Sequence, residues 1–241
     1  MRRRLVPLAL TVLALSGLTG AAQADEQLAA ELATLAPAAN PKVLSLATRA
    51  ADCARRQGLL EGFEHLAVID YSLPSTTPRL WVFDVAHGRL LYQELVAHGR
   101  NTGERVAERF SNVEGSKMSS LGLFQTAETY YGSNGYSLRL HGLDRGFNDK
   151  ALARAIVIHG APYVSEAIAE RMGRLGRSWG CPAVRPEVAR TVIDTLKGGA
   201  LLFAYYPDGK WLKESPLLTC GDTQPALVTA SAARGVALPR G

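Results

Sequence analysis

Cysteine is scarce in this 241-residue chain, with three residues in all, and methionine and tryptophan are equally rare. No two cysteines stand close enough to form a C-x-x-C pair, so one Cys with a nearby His falls short of a zinc set, and no metal site or other cofactor is expected. Aromatic residues make up only 7% of the chain, and no stripe of clustered Lys and Arg interleaves with them. That excludes the usual nucleic-acid binders. No internal repeat is visible, which excludes a solenoid. After the first two dozen residues no apolar run approaches the roughly 20 residues a membrane span needs, so no stable membrane insertion is expected. What is present is ordinary for a folded protein: 47% hydrophobic and 20% charged residues are enough to bury a core.

The first segment reads as an address. Arg2, Arg3 and Arg4 precede an apolar run from Leu5 to Leu18, and Ala22-Gln23-Ala24 follows. These are the basic, hydrophobic and A-x-A parts of a secretory signal peptide, with cleavage expected after Ala24. No Cys follows the run to suggest a lipid anchor. The leader carries three arginines and no acid, so its removal lowers the formal net charge from +5 to +2. An exported protein, periplasmic or associated with the cell wall, is the expectation, and a mildly basic one suits an anionic polymer.

From Asp25 to Gly58 the pattern is helical. Leu28, Leu32 and Leu35 recur at helical spacing before Pro37, and Asn40-Pro41 then supplies an N-cap and a first-turn proline for a second helix. Beyond Gly62 the texture changes to short runs rich in β-branched and aromatic residues: 65–71, 80–85, 90–98, 119–126, 136–140 and 153–159, with a last strand over 200–206. His87-Gly88 reads as a hairpin turn, and 99–117 as a long polar loop of the kind that often carries function. Short helices are expected over 165–172 and from Pro186 to Gly198-Gly199. The order of elements describes a mainly β, mostly antiparallel single domain rather than a doubly wound fold. The expected plan is a signal peptide over 1–24, a helical segment over 25–58, a catalytic domain over 59–206 and a largely disordered tail over 207–241.

Three cysteines are an odd number for an oxidising compartment. If Cys53 paired with Cys220, an N-terminal helix would be tethered to the segment after the last strand and Cys181 would be the free thiol; the sequence leaves that pairing open. Cys181 sits in a stiff turn between Gly180 and Pro182 that exposes a thiol and aims backbone N–H groups at one point, as an oxyanion hole requires. Upstream, Ile156, Val157 and Ile158 deliver His159 to a strand end, with Gly160 beside it. An unassisted thiol is only a few per cent thiolate at neutral pH, and a neighbouring imidazole stabilises the thiolate and can return its proton to a leaving amine. His98 and His141 also follow strand-like runs and precede glycine, so position alone does not choose among the three.

The wording around these residues does choose. His159-Gly160 followed by Ser178-Trp179-Gly180-Cys181 resembles the active-site signature of the L,D-transpeptidase catalytic-domain family, and is most similar to its murein (YkuD-like) branch, where the form is RSWGCPA. The likeness extends through Val96 to Asn101, Ser119 to Gly122 and Arg154 to Val157, and covers about Leu59 to Tyr206. It implies a β-sandwich or barrel-like domain with the Cys in a groove, and acyl transfer on peptidoglycan stem peptides. Cys181 would be the nucleophile, His159 the base, the Gly160 carbonyl the group that orients it, and the N–H groups of Gly180 and Cys181 the oxyanion hole. Water as acceptor would make the enzyme an L,D-carboxypeptidase; a non-catalytic wall-binding protein on the same fold is the rival from another class. Where many members have a second His, this chain has Trp179, which reads as a packing residue roofing the site. Ser178, Trp179, Arg177 and Asn101 are the candidate substrate contacts, and Arg177 or Arg185 is suited to a diaminopimelate carboxylate because a guanidinium makes paired hydrogen bonds to one. Ser119 and Ser120 are further candidates to line the groove.

Overall fold

A computed structural model describes residues 17–220 of the chain, and side chains from residue 23 onward. The start of the expected leader and the expected disorder of 221–241 fall outside the described residues. In chain order the elements are α1 (Gly17–Leu35), α2 (Pro41–Arg56), β1 (His65–Asp70), β2 (Leu80–Asp84), β3 (Arg89–Glu94), β4 (Gly122–Gly132), β5 (Gly135–Gly142), β6 (Val157–Gly160), α3 (Glu166–Met172), β7 (Ala183–Val184), α4 (Pro186–Leu196), β8 (Leu201–Tyr205) and α5 (Gly209–Glu214). The eight strands form one sheet in the order β3-β2-β1-β8-β4-β5-β6-β7. Pairing is antiparallel except between β1 and β8 and between β6 and β7. Past β3 the chain returns to the opposite edge, where Ala97 N–H donates to the Ala183 carbonyl at 2.8 Å, so the sheet nearly closes into a barrel.

The apolar strands are buried on both faces, which is why they read as continuous hydrophobic runs. In β1, Leu66 and Val68 point to one core while Ala67 and Ile69 point to the other; in β8, Leu201, Phe203 and Tyr205 face the first and Leu202 and Ala204 the second. The outer core is closed by α1, α2 and α5, the inner one by α4 through Val192, Ile193 and Leu196. The second helix begins as its sequence indicates: Asn40 Oδ1 accepts from Lys42 N–H at 3.0 Å, with Pro41 in the first turn.

Several segments differ from expectation: the strand expected over 90–98 ends at Glu94, β4 continues to Gly132, β7 is an added two-residue strand, and three further differences have clear causes. Ser119 to Leu121 are loop rather than strand, because the Ser119 and Ser120 hydroxyls bond to the Gly180 and Ser111 carbonyls and hold the backbone out of the sheet. The expected strand at 153–159 begins only at Val157, since the chain turns through Ala155 at φ +52°. The segment after Tyr206 is ordered as far as Cys220. There Asp208 caps α5, Trp211, Leu217 and Leu218 are buried, and Cys220 is disulfide-bonded to Cys53. Six helical residues are too few to show a period, which is why α5 left no signal.

Candidate active site

His159 stands near the end of β6, opposite Ser137 of β5 and Ala183 of β7. The buried run Ile156, Val157 and Ile158 anchors the strand, and the imidazole is itself only 4% exposed. Its Nδ1 lies 2.9 Å from the Gly160 carbonyl oxygen. A carbonyl only accepts, so the proton sits on Nδ1 and the lone pair on Nε2. Burial pushes the imidazole below its ordinary pKa, with the Gly160 carbonyl opposing. Gly160 also permits the close packing of α4: a Cβ there would come within 2.8 Å of Ala189 Cβ.

The thiol of Cys181 is carried by a braced turn. Ser178 Oγ donates to the Cys181 carbonyl at 2.6 Å and accepts from Gly180 N–H at 3.1 Å. Ser119 Oγ accepts from Gly99 N–H at 3.0 Å and donates to the Gly180 carbonyl at 3.1 Å. Gly180 has φ +126°, and an added Cβ would meet the Met118 carbonyl oxygen at 2.7 Å, so only glycine fits. Because Gly180 N–H is committed to Ser178, the Cys181 N–H is the one of the expected pair without such a partner among the described residues. Cys181 is 8% exposed, and with Cys53 and Cys220 joined in a disulfide it is the free cysteine. Its Sγ accepts from Val157 N–H at 3.4 Å and its S–H points to the Ala155 carbonyl at 3.7 Å. Burial raises the thiol pKa, against the pull of Val157 N–H and of the Arg154 charge. Thiol and imidazole are not hydrogen-bonded to each other, and burial favours the neutral form of both. The resting arrangement is therefore a neutral pair and not a preformed ion pair.

Arg154, which the likeness includes without a role, reaches into the loop that passes over this turn. It donates to the Ser111 and Met118 carbonyls at 2.7 and 2.6 Å and to the Ser120 and Ser116 hydroxyls. Lys117, in the same loop, has φ +55° and lays its ammonium over the Trp179 ring at 4.9 Å. The two non-glycine residues with positive φ among those described are thus Lys117, beside Trp179, and Ala155, whose carbonyl faces the thiol.

The remaining candidates divide. Trp179 is 70% exposed, so it does not roof the site by packing but stands at the lip beside Lys117. Arg177 donates to the Arg100 and Gly103 carbonyls and pairs with Glu104, holding the 100–104 loop. Arg185 is held bidentately by Glu94 at 2.9 and 2.7 Å. The Arg185 guanidinium is thus engaged through Nε and Nη2, whereas Arg177 makes its contacts through Nη1 alone. Asn101 Nδ2 donates to the Ser116 carbonyl at 2.9 Å and ties the loop down from the other side. Asn101, Arg177 and Met118 line a polar groove of about 480 Å³ with Arg100, Glu104, Glu108 and Arg109. His98 is fully buried, accepting at Nδ1 from Arg79 and facing the Gly103 carbonyl through Nε2, and its pKa is lowered to about 4; it is structural. His141 is exposed on β5. A larger cleft of about 910 Å³ lies elsewhere, between 58–65 and the end of α4, and holds neither Cys181 nor His159. Among the described residues no group of three or more His, Cys, Asp or Glu is placed to hold a metal.

The family model described as YkuD_2, L,D-transpeptidase catalytic domain, matches residues 35–205. The chain belongs to this family. Among solved structures it is similar to an L,D-transpeptidase from Mycobacterium smegmatis at 15% identity and TM-score 0.38, over 60% of either chain. It is also similar to L,D-transpeptidase 1 of Mycobacterium tuberculosis at 14% identity and TM-score 0.35, over 60% of this chain and 63% of that one. The chain thus spans about 60% of the length of the solved proteins it matches. No curated protein matches it. The match to the family begins at Leu35, so it takes in α2 as well as the strands and leaves α5 outside.

Proposed function

We propose that this chain is an L,D-transpeptidase acting on peptidoglycan stem peptides, with Cys181 as nucleophile and His159 as base. The observation that carries the reading is the hydrogen bond from His159 Nδ1 to the Gly160 carbonyl, which leaves Nε2 as the proton acceptor on the strand that also holds the Cys181 thiol. In the first half-reaction the Cys181 sulfur attacks the carbonyl at the L-centre of the donor's diaminopimelate, and the thiol proton passes to His159 Nε2. The oxyanion that forms accepts from Cys181 N–H. Collapse breaks the amide bond, His159 returns the proton to the departing D-alanine amine, and a thioester remains. In the second, the side-chain amine of another stem attacks the thioester, a crosslink forms and the thiol is restored. The resting thiol faces Ala155, so the first step requires it to turn toward the imidazole.

The neutral resting pair is consistent with a nucleophile that gives up its proton to His159 only as the bond to substrate forms and the developing charge passes to the carbonyl oxygen. Export to the periplasm or cell wall is part of the proposal: the Arg-rich apolar leader supports it, and so does the Cys53–Cys220 disulfide, since such bonds persist in oxidising compartments. No helix among the described residues is long and apolar enough to cross a membrane. The test is incubation with defined tetrapeptide muropeptides and mass analysis of products. Crosslinked dimers with release of D-alanine are expected; free tripeptide alone would assign the site to an L,D-carboxypeptidase, and unchanged substrate would leave the wall-binding reading.

A further inference from the structure

Arg154 is a cation without an anion. Its guanidinium is drawn off the surface into the loop beside the nucleophile, where it meets two carbonyls and two hydroxyls, and no carboxylate pairs with it among the described residues. Its Nε–H is buried with no hydrogen-bond partner. A half-buried guanidinium served only by neutral acceptors keeps most of its field, and partial removal from water makes that field reach farther. The chain places this charge next to the thiol by two routes. Ala155, the residue after Arg154, turns at positive φ and presents its carbonyl to Cys181 Sγ. Met118, whose carbonyl accepts from Arg154, packs that same oxygen against Gly180, the residue before the nucleophile.

We propose that Arg154 is a positioning residue for Cys181, which clamps the 116–120 segment onto the Gly180–Cys181 turn and supplies the fixed positive charge against which the thiolate forms. This deepens the transpeptidase reading and rests on it for its place in a reaction, although the effect on the thiol itself does not. In that reaction the proton leaves Sγ for His159 Nε2, and the transient thiolate is held between two cations, the imidazolium and Arg154, until the carbon–sulfur bond forms. The fixed charge offsets what burial costs the anion. The other titratable groups near enough to feel the charge of the thiol are Tyr71 after β1 and Tyr163 after β6. Both phenols are pushed up to about 12 by burial, so they stay neutral while a thiol titrates. Among the described residues Arg154 is then the permanent charge that acts on the sulfur, and a neutral residue of similar length removes it.

The experiment is the pH dependence of Cys181 alkylation by iodoacetamide in the folded, disulfide-intact protein, where Cys181 is the free thiol. It needs no peptidoglycan, so it is read whether or not transfer activity is found. Arg154→Gln is expected to move the apparent thiol pKa up by a unit or more, which is a tenfold or larger loss of alkylation rate at any pH below both values. Arg154→Lys, which keeps the charge without the fork of donors, is expected to hold the apparent pKa within about half a unit of the parent. Loss of the four hydrogen bonds alone would move both variants alike. An Arg154→Gln protein that folds with an unshifted or lowered pKa overturns the proposal. If that variant does not fold, Arg154→Lys decides: retention of the parent pKa supports the charge role, and a rise of a unit or more overturns it.

Discussion

Replacing Ser178 by Ala tests how the Gly180–Cys181 turn is held. The hydroxyl is buried and serves two backbone groups, accepting from Gly180 N–H and donating to the Cys181 carbonyl. Neither group has another side-chain partner, and the turn is too confined for the backbone to find new ones without moving. An unsatisfied buried polar group costs about 1–3 kcal/mol. Two of them, less what a partial rearrangement regains, come to about 2–4 kcal/mol. In a chain of this size that corresponds to a melting temperature lowered by roughly 5–15 °C. The second consequence is local: without the brace the Gly180–Cys181 peptide is free to rotate, Cys181 N–H loses its fixed direction, and the proposed acyl transfer is expected to fall by about 10²-fold or more, the usual effect of losing an oxyanion donor. Ser178→Thr keeps the hydroxyl and restores part of both. The assays are thermal unfolding by circular dichroism and single-turnover acylation by a tetrapeptide stem. A Ser178→Ala protein that melts within a degree of the parent and acylates at the parent rate would refute this account of the turn.

Further outcomes follow from other parts of the fold. The Cys53–Cys220 disulfide closes a span of 167 residues, which by loop entropy is worth about 5 kcal/mol; Cys220→Ser, or reduction, is expected to lower the melting temperature by roughly 10–20 °C, and an unchanged melt contradicts it. Asp144, buried under Trp211 and Ser215, has its pKa raised to about 6 by burial. The folded state thus holds that proton more tightly than the unfolded chain, so its contribution is complete below about pH 4 and is lost as pH rises through 6, a change of about 3 kcal/mol. Urea midpoints from pH 4 to 8 should fall with pH in the parent and flatten in Asp144→Asn; equal slopes count against it. Gly180→Ala forces a Cβ toward the Met118 carbonyl at a φ that side chains avoid, and should cost at least about 2 kcal/mol in the same urea titration; a stability equal to the parent's would mean the loop moves freely.

Much of the fold was legible because the strands obey simple periods. His65 to Asp70 and Leu201 to Tyr205 are apolar on both faces, and they sit at the centre of the sheet where both faces are covered. Asn40-Pro41 announced α2 through capping chemistry that is local to the sequence. What escaped depends on contacts between distant segments. Ser119 reads as strand until its hydroxyl is seen bonding Gly180, some sixty residues away. Trp211 is silent in the sequence because its burial needs Asp144 as an acceptor for its indole N–H. At the proposed site, His159 and Cys181 stand out in the sequence through the wording of their motifs. The ion pairs of Arg177 with Glu104 and of Arg185 with Glu94, and the solitary charge of Arg154, were not legible there. Charged side chains choose partners in three dimensions, and nothing in their local spacing says whether an arginine is free or engaged.

The most direct measurement is the intact mass of the mature protein during turnover of a tetrapeptide stem, followed by peptide mapping of any adduct. The account predicts a transient increase equal to the tripeptide acyl group, on Cys181 alone, absent from Cys181→Ala and slow to form in His159→Ala. An adduct on another residue, or full activity in Cys181→Ala, would contradict it.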